Sequence, residues 1–434
     1  MSALTDAQEA FSGVEPSKEP LSKENMQLVE EFNKLRGFPL YFPYIGSGLG
    51  KGALVELMDG SCKYDLISGI GVHYMGHSNP GVMEAALGAA LSDTIMEGNL
   101  QTNGDALALA RLYTELSGFD HCFLSSSGAM ACENALKISF QKKYPAQRVL
   151  AFERSFAGRT LALSQITDKP AFREGLPPVI AVDYLPFYDA NEAEKSQERA
   201  LAVLKNYIRR YPAQHAVMCI ELIQGEGGFW TGPHTFFKAI IQELKKHNIA
   251  VWIDEVQTFA RTENLFAFQG YGLDDLVDIV TIGKVAHACA TLYKHEFCPR
   301  PGLLSQTFTA STSAIRAVKF MIEYALSSNF FGPTGKIATF SKAFIHGLQG
   351  LHDKYGVVHG PYGVGSMIAF TPFDGKEATA RAFVQKLFAN GIISFVAGSN
   401  PTRVRFLLPV GVMTEQEIAP IMAIIEQTIQ ESKS

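Results

Sequence analysis

Two short apolar runs end in charges suited to joint chemistry. Val251-Trp252-Ile253 leads into Asp254-Glu255-Val256-Gln257, and Ile279-Val280-Thr281-Ile282 leads into Gly283-Lys284. Each run is too short for a helix and is closed by a polar residue and a turn, which suits a parallel strand buried on both faces. Ligands of open parallel sheets gather outside the carboxyl ends of the strands, so Asp254 and Lys284 are expected at one crevice. An amine and a carboxylate there suit pyridoxal phosphate. That cofactor needs a lysine for its Schiff base and an acid that keeps the pyridine nitrogen protonated, so that the ring can draw electrons from a substrate. Taken singly, charged strand ends are commonplace and mostly solvated, so other residues must share the site.

Such residues recur in order. Ser127-Gly128-Ala129 joins an expected strand over 123–127 to an expected helix over 128–142, and the freed amides of a helix N-terminus seat a phosphate. After a strand over 148–154 comes Phe156-Ala157-Gly158-Arg159-Thr160. It offers an aromatic ring to lie on a planar cofactor and a guanidinium to hold a carboxylate through two hydrogen bonds. A strand over 216–224 ends in Gly225-Glu226-Gly227-Gly228, where the glycines let backbone approach a ligand around a lone carboxylate.

The elements that must hold these residues alternate strand and helix from 65 to 325, the pattern of a sheet with helices on both faces. Before them, residues 1–64 begin with a polar stretch. A helix capped by Ser22 follows, with Leu28, Val29, Phe32 and Leu35 on its apolar face and Gly37 at its end. A loop over 41–52 and a hairpin over 53–64 turning at Asp59-Gly60 come next. Residues 326–434 show helices over 336–348 and 379–389 and strands over 357–371 and 404–408. A Thr414/Glu417 capping box then precedes Pro420, where a helix begins or kinks. The 434 residues are therefore expected to form an α/β fold. A large, mostly parallel-sheet domain spans 65–325, and a smaller α+β domain over 326–434 packs with the N-terminal segment. The run 285–292 is apolar and rich in small residues without a clear secondary-structure signature.

Composition excludes some classes. Hydrophobic residues make up 47% and charged residues 19%, an ordinary globular balance. A net charge of -5 leaves no electrostatic footprint for nucleic acid. Six cysteines without a C-x-x-C pair suggest buried thiols in a reducing compartment, with no zinc site, other metal or disulfide framework. No apolar run approaches membrane-spanning length and no leader pattern opens the chain, so a soluble cytoplasmic protein is expected.

The ordered series of Ser-Gly turn, Phe-x-Gly-Arg-Thr, Gln-Gly-Glu-Gly-Gly, Asp-Glu-Val-Gln and Gly-Lys resembles the class III (omega-amino) aminotransferases of pyridoxal phosphate fold type I. The resemblance spans residues 40–415 and is greatest to the ornithine, lysine and 4-aminobutyrate branch. It implies that Lys284 bears the Schiff base and then moves a proton between substrate and cofactor, while Asp254 holds the pyridine nitrogen and Gln257 the ring hydroxyl region. Phe156 would stack on the ring. Gly128 and Ala129 would give amides to the phosphate beside Ser127, and Thr307 would reach the phosphate of a neighbouring subunit, which implies a homodimer.

On the substrate side the resemblance implies that Arg159 and Arg405 bind carboxylates and that Glu226 masks Arg405 while the donor is bound. Tyr41 and Ile70 would line the donor site. The implied reaction is ping-pong transfer of an omega-amino group from a lysine-, ornithine- or 4-aminobutyrate-like small-molecule amine or amino-acid donor to 2-oxoglutarate. An aminomutase, racemase or decarboxylase on this scaffold, or a non-catalytic binding protein, are the alternatives. The chain departs from the family pattern at Met130, at Ala157, over Val285-Ala286-His287-Ala288-Cys289, over Thr309-Ala310-Ser311 and in the shortened Thr258-Phe259-Ala260-Arg261.

Overall fold

The computed structural model describes residues 2–9, 11–92, 98 and 100–433. The chain divides into two compact units, Ala85–Ser327 and a second built from Met1–Glu84 with Ser328–Ser434.

The large unit holds a seven-stranded sheet. Its strands are β1 (His121–Ser125), β2 (Arg148–Phe152), β3 (Ala181–Leu185), β4 (His215–Ile220), β5 (Ala250–Glu255), β6 (Ile279–Ile282) and β7 (Cys289–Tyr293). Their spatial order is β1-β7-β6-β5-β4-β2-β3. Neighbours pair in parallel except β7, which runs antiparallel to both β6 and β1. Continuous apolar runs form the central strands because both of their faces are covered: β4, β5 and β6 are buried along their whole length. The helix expected over 128–142 is found at Gly128–Lys142 and lays Ala131, Cys132, Ala135, Leu136 and Ile138 into the core. Helix His234–Lys246 does the same with Phe236, Phe237, Ile240, Ile241 and Leu244.

The run 285–292, without a signature in the sequence, is a buried turn leading into β7. Its small side chains are explained by packing, since Ala286, Ala288 and Ala290 are wholly buried and Thr291 Oγ1 donates to the Ala131 carbonyl at 2.8 Å.

The second unit contains an antiparallel sheet of Val358–Val364, Met367–Pro372, Arg403–Leu407 and Phe395–Ala397. Another sheet joins Gly46–Lys51, Leu54–Leu57, Cys62–Asp65 and Ile392–Ile393. The expected boundary at residue 65 is corrected to 85. Tyr64 and Asp65 pair with Ile392 and Ile393, and the Ser68 hydroxyl donates to the Leu407 carbonyl at 2.8 Å, so 65–84 is tied to this unit. The expected loop over 41–52 contains strand Gly46–Lys51, which extends the hairpin.

Helix Leu21–Arg36 follows Pro20 rather than a Ser22 cap, and Gly37 ends it in the left-handed conformation at φ 80°. Only Val29 of its expected apolar face is buried; Leu28, Phe32 and Leu35 are exposed. At Pro420 the chain begins a helix, Ile418–Lys433, entered through the Thr414/Glu417 capping box. A proline in a first turn removes no helical hydrogen bond. No described helix is long and apolar enough to cross a membrane.

Candidate active site

Strands β5 and β6 run in parallel with Asp254 opposite Thr281, so Asp254 and the turn carrying Lys284 leave the sheet at one edge. Lys284 takes φ 53°, a left-handed conformation that costs a side-chain-bearing residue energy and clusters at functional sites. Asp254 is 5% exposed. Its Oδ1 accepts from the Val256 amide at 2.9 Å and from Thr281 Oγ1 at 3.3 Å, and its Oδ2 from the Cys132 thiol at 3.4 Å. Burial pushes the Asp254 carboxyl above its usual range, opposed by the Val256 amide, the charge of Lys284, and the thiol and hydroxyl donors. A buried carboxylate so placed favours a cationic partner.

Alternation along the strand sends the neighbouring Glu255 elsewhere. It accepts from the Ala267 and Phe268 amides at 2.8 Å each and is pushed up to about 7 by burial.

Packing ties the expected cofactor residues into one cluster. Val256 lies against two glycines: a Cβ on Gly128 would stand 2.8 Å from Val256 Cγ1, and one on Gly283 would stand 3.0 Å from the same methyl and 3.2 Å from Gly128 Cα. The turn before Lys284 and the N-terminus of helix Gly128–Lys142 thus meet across Val256. Ser127 caps that helix by accepting from the Met130 amide at 3.2 Å, so its hydroxyl is committed to the helix while the first amides of Gly128 and Ala129 lack intrahelical acceptors. Gln257 packs beside Gly225, where a Cβ would stand 3.0 Å from Gln257 Cγ.

Glu221 links the remaining parts and was not singled out in the sequence. One oxygen accepts from the Phe156 amide at 2.8 Å and the other from the Gly225 amide at 2.9 Å. Burial, then the charge of Asp254, pushes Glu221 up to about 8. A lone carboxylate inside the apolar run 215–224 was the available signal. Trp252, Thr281 and Cys132 carry no site signal in the sequence; the β5–β6 register and the packing of helix Gly128–Lys142 bring them together at Asp254.

These residues fit pyridoxal phosphate. Asp254 suits a protonated ring nitrogen. Gln257 Nε2 is buried with no hydrogen-bond partner among the described residues, a donor available to a ring hydroxyl. The Gly128 N-terminus suits a phosphate, and half-buried Phe156 follows the same edge. Arg159 is exposed, with its guanidinium 3.6 Å over the Phe172 ring and 6.0 Å from that of Phe156. No carboxylate among the described residues pairs with it.

Glu226 meets Lys169 at 3.4 Å. Thr307 is exposed, and its carbonyl passes so close to Gly98 that a Cβ there would stand 2.4 Å away.

Three expected substrate residues belong to the second unit. Arg405 is 2% exposed and lies 5.5 Å over the Phe395 ring; the Tyr41 ring stands 4.6 Å from that of Phe395. Ile70 is 38% exposed at φ 62°, an outlier for a β-branched residue. Of the six free cysteines, Cys298 is exposed, which corrects the expectation of buried thiols throughout.

Comparison with known proteins agrees with this geometry. The pattern described as aminotransferase class-III matches residues 46–429. Acetylornithine aminotransferase of Methanocaldococcus jannaschii is 31% identical over 399 residues, covering 87% of this chain and 92% of that protein. Acetylornithine aminotransferase 1 of Bradyrhizobium diazoefficiens is 30% identical, covering 88% and 91%. Among solved structures, lysine aminotransferase from M. tuberculosis superposes with a TM-score of 0.82 at 20% identity, covering 93% of this chain and 99% of that one. Ornithine aminotransferase from Toxoplasma gondii does so with a TM-score of 0.79 at 22% identity, covering 96% and 99%. Those two likenesses establish the fold type I architecture. With the family pattern spanning nearly the whole chain and a carboxylate, a lysine and a helix N-terminus at one sheet edge, the chain belongs to the class-III aminotransferases, enzymes that depend on pyridoxal phosphate.

Proposed function

We propose that this aminotransferase moves the terminal amino group of a lysine-, ornithine- or acetylornithine-like donor to 2-oxoglutarate in two half-reactions. The names of its relatives support the donor class. The observation that carries the acceptor is Arg159, an exposed guanidinium held by aromatic rings rather than by a carboxylate. It is free to take an acid in two parallel hydrogen bonds. Arg405 is the second carboxylate-binding residue, as a dicarboxylate acceptor requires. Glu226 favours the amine-bearing donor, and Tyr41 and Ile70 line its side.

When bound, the cofactor supplies an electron-withdrawing ring and the carbon that takes up the amino group. Lys284 Nζ would hold the group and, as a free amine, would carry the proton at the substrate carbon. Asp254 would keep a proton on the ring nitrogen through charge. Gln257 Nε2 would donate to the ring hydroxyl, and Phe156 would cover the ring face and exclude water. Gly128 and Ala129 amides would hold the phosphate beside Ser127.

Thr307, exposed on its own chain, serves a second copy, so the working form is a homodimer. The exposed Leu28, Phe32 and Leu35 provide apolar surface for such an association. Six free cysteines support the reducing cytoplasm as its setting.

An amine panel tests the reading. Lysine, ornithine or acetylornithine should bleach the cofactor's visible absorbance, and 2-oxoglutarate, rather than pyruvate, should restore it. If Arg405→Ala leaves the 2-oxoglutarate half-reaction unchanged, the dicarboxylate assignment is wrong.

A further inference from the structure

At the end of the large unit's sheet away from Lys284, two histidines and a cysteine converge. Lys284 precedes β7, and β7 carries the chain about 14 Å from Cys289 to Tyr293, whose register partner is His121 at the start of β1. Two residues on, His295–Phe297 forms a turn of 3-10 helix. Three residues per turn place position i+3 over position i, so Cys298 comes to stand with His295.

His121 Nε2 lies 3.1 Å from His295 Nδ1 and 3.1 Å from Cys298 Sγ, and the thiol is 3.9 Å from His295 Nδ1. The three donor atoms fall within 4.8 Å of one another. Donors on a tetrahedral zinc ion, with metal–nitrogen bonds of about 2.0–2.1 Å and metal–sulfur bonds of about 2.3 Å, stand about 3.3–3.6 Å apart. The observed spacings bracket that range.

We propose that His121, His295 and Cys298 form a binding site for a zinc-like divalent transition metal, separate from the aminotransferase site. Nitrogen and sulfur donors select such ions over magnesium or calcium, which take oxygen ligands. Two ring nitrogens face each other at 3.1 Å, so without an ion one of them must carry a proton between them. An ion accepts both lone pairs, and the thiol proton leaves to solvent as the thiolate binds.

The surroundings orient the ligands as outer-shell partners do. The His121 ring stacks on Tyr293 with centroids 5.3 Å apart and planes 30° apart, and Asp120 Oδ2 accepts from the His295 amide at 2.8 Å. Cys298 and His295 are exposed, which leaves a fourth position open to water or an added ligand. The absence of a C-x-x-C pair hid the site in the sequence, because its ligands lie 174 residues apart between His121 and His295.

The test uses the cofactor-loaded enzyme, stripped of metal and titrated with Co²⁺, then Zn²⁺. One Co²⁺ per chain should give long-wavelength visible bands clear of the cofactor, with thiolate charge transfer, and Zn²⁺ should displace it. Cys298→Ser and His295→Gln, both surface changes, should each weaken zinc binding by about tenfold or more while aminotransferase activity is kept. Cys298 is the exposed thiol, so its alkylation by iodoacetamide should slow about tenfold or more in stoichiometric Zn²⁺. Absence of stoichiometric metal, equal affinity in Cys298→Ser, or alkylation indifferent to Zn²⁺ would each overturn the proposal.

Discussion

The indole N–H of Trp252 donates to the hydroxyl of Thr281 at 2.9 Å, and this fixes what that hydroxyl can do. Indole is a donor only, so the Thr281 hydrogen is left for Asp254 Oδ1 at 3.3 Å. The pair, wholly buried, orients the carboxylate from within the sheet. Thr281→Val removes the donor and strands a buried indole N–H, so a loss of about 1–3 kcal/mol is expected from chemical denaturation. Cofactor affinity should weaken severalfold in titrations of the stripped enzyme, and Thr281→Ser should restore both. Unchanged cofactor affinity in the valine variant would show that Asp254 needs no such positioning.

Asp183 supports the sheet from the opposite end of the strands. Arg148 grips it with two hydrogen bonds of 2.7 Å and His215 with one of 2.8 Å. Burial alone would push the carboxyl up, but the hydrogen bonds from His215 and Arg148 prevail and hold it at about 2, below its ordinary 3.8. A depressed carboxylate contributes stability above its unfolded pKa and loses it as pH falls through the folded one. Asp183→Asn should therefore cost about 3 kcal/mol at neutral pH. The difference from the parent should shrink as pH falls from about 4 toward 2, read from urea midpoints.

Glu221 has the opposite sign. Its ordinary value is 4.5 and burial, with the charge of Asp254, pushes it up to about 8. Between those values the folded, cofactor-free chain keeps a proton that the unfolded chain has released, so stability falls as pH rises through the window. Glu221→Gln should flatten that fall, the variant gaining on the parent toward about pH 8. Parallel stability profiles for the two proteins would refute the assignment.

The placement of the candidate site residues was largely legible in the chain because they stand at the ends of continuous apolar runs. Buried parallel strands leave so plain a pattern that Asp254, Lys284 and the start of helix Gly128–Lys142 could be placed from sequence alone. What stayed hidden depends on register or on long-range return of the chain. Thr281 meets Asp254 through the β5–β6 pairing, and Glu221 meets Phe156 across 65 residues. The antiparallel β7 was illegible because Ala290 within it, with Ala286 and Ala288 in the turn before it, serves close packing rather than strand propensity. The boundary at 85 was missed because residues 64–68 are bound to the second unit by pairing of Tyr64 and Asp65 with Ile392–Ile393 and by the Ser68 hydroxyl on Leu407, which no local composition records.

Val256 offers the most discriminating test of how the proposed phosphate seat is held to the lysine turn. Neither Gly128 nor Gly283 has a positive φ, so their smallness answers to space and not to backbone conformation. A methyl on Gly128 would meet Val256 at 2.8 Å and 3.1 Å, and overpacking of this kind costs about 1–3 kcal/mol. Gly128→Ala should push Val256, and with it the amide that donates to Asp254 at 2.9 Å, away from the helix N-terminus. Cofactor affinity is then expected to fall about tenfold, a loss of about 1.4 kcal/mol. Removing the opposing methyls should relieve the clash, so Gly128→Ala with Val256→Ala should recover most of the affinity, while Val256→Ala alone leaves a small cavity and a modest stability loss. Affinity in the double variant no better than in Gly128→Ala would mean that the glycine is needed for direct approach of the phosphate to the backbone, not for its fit against Val256.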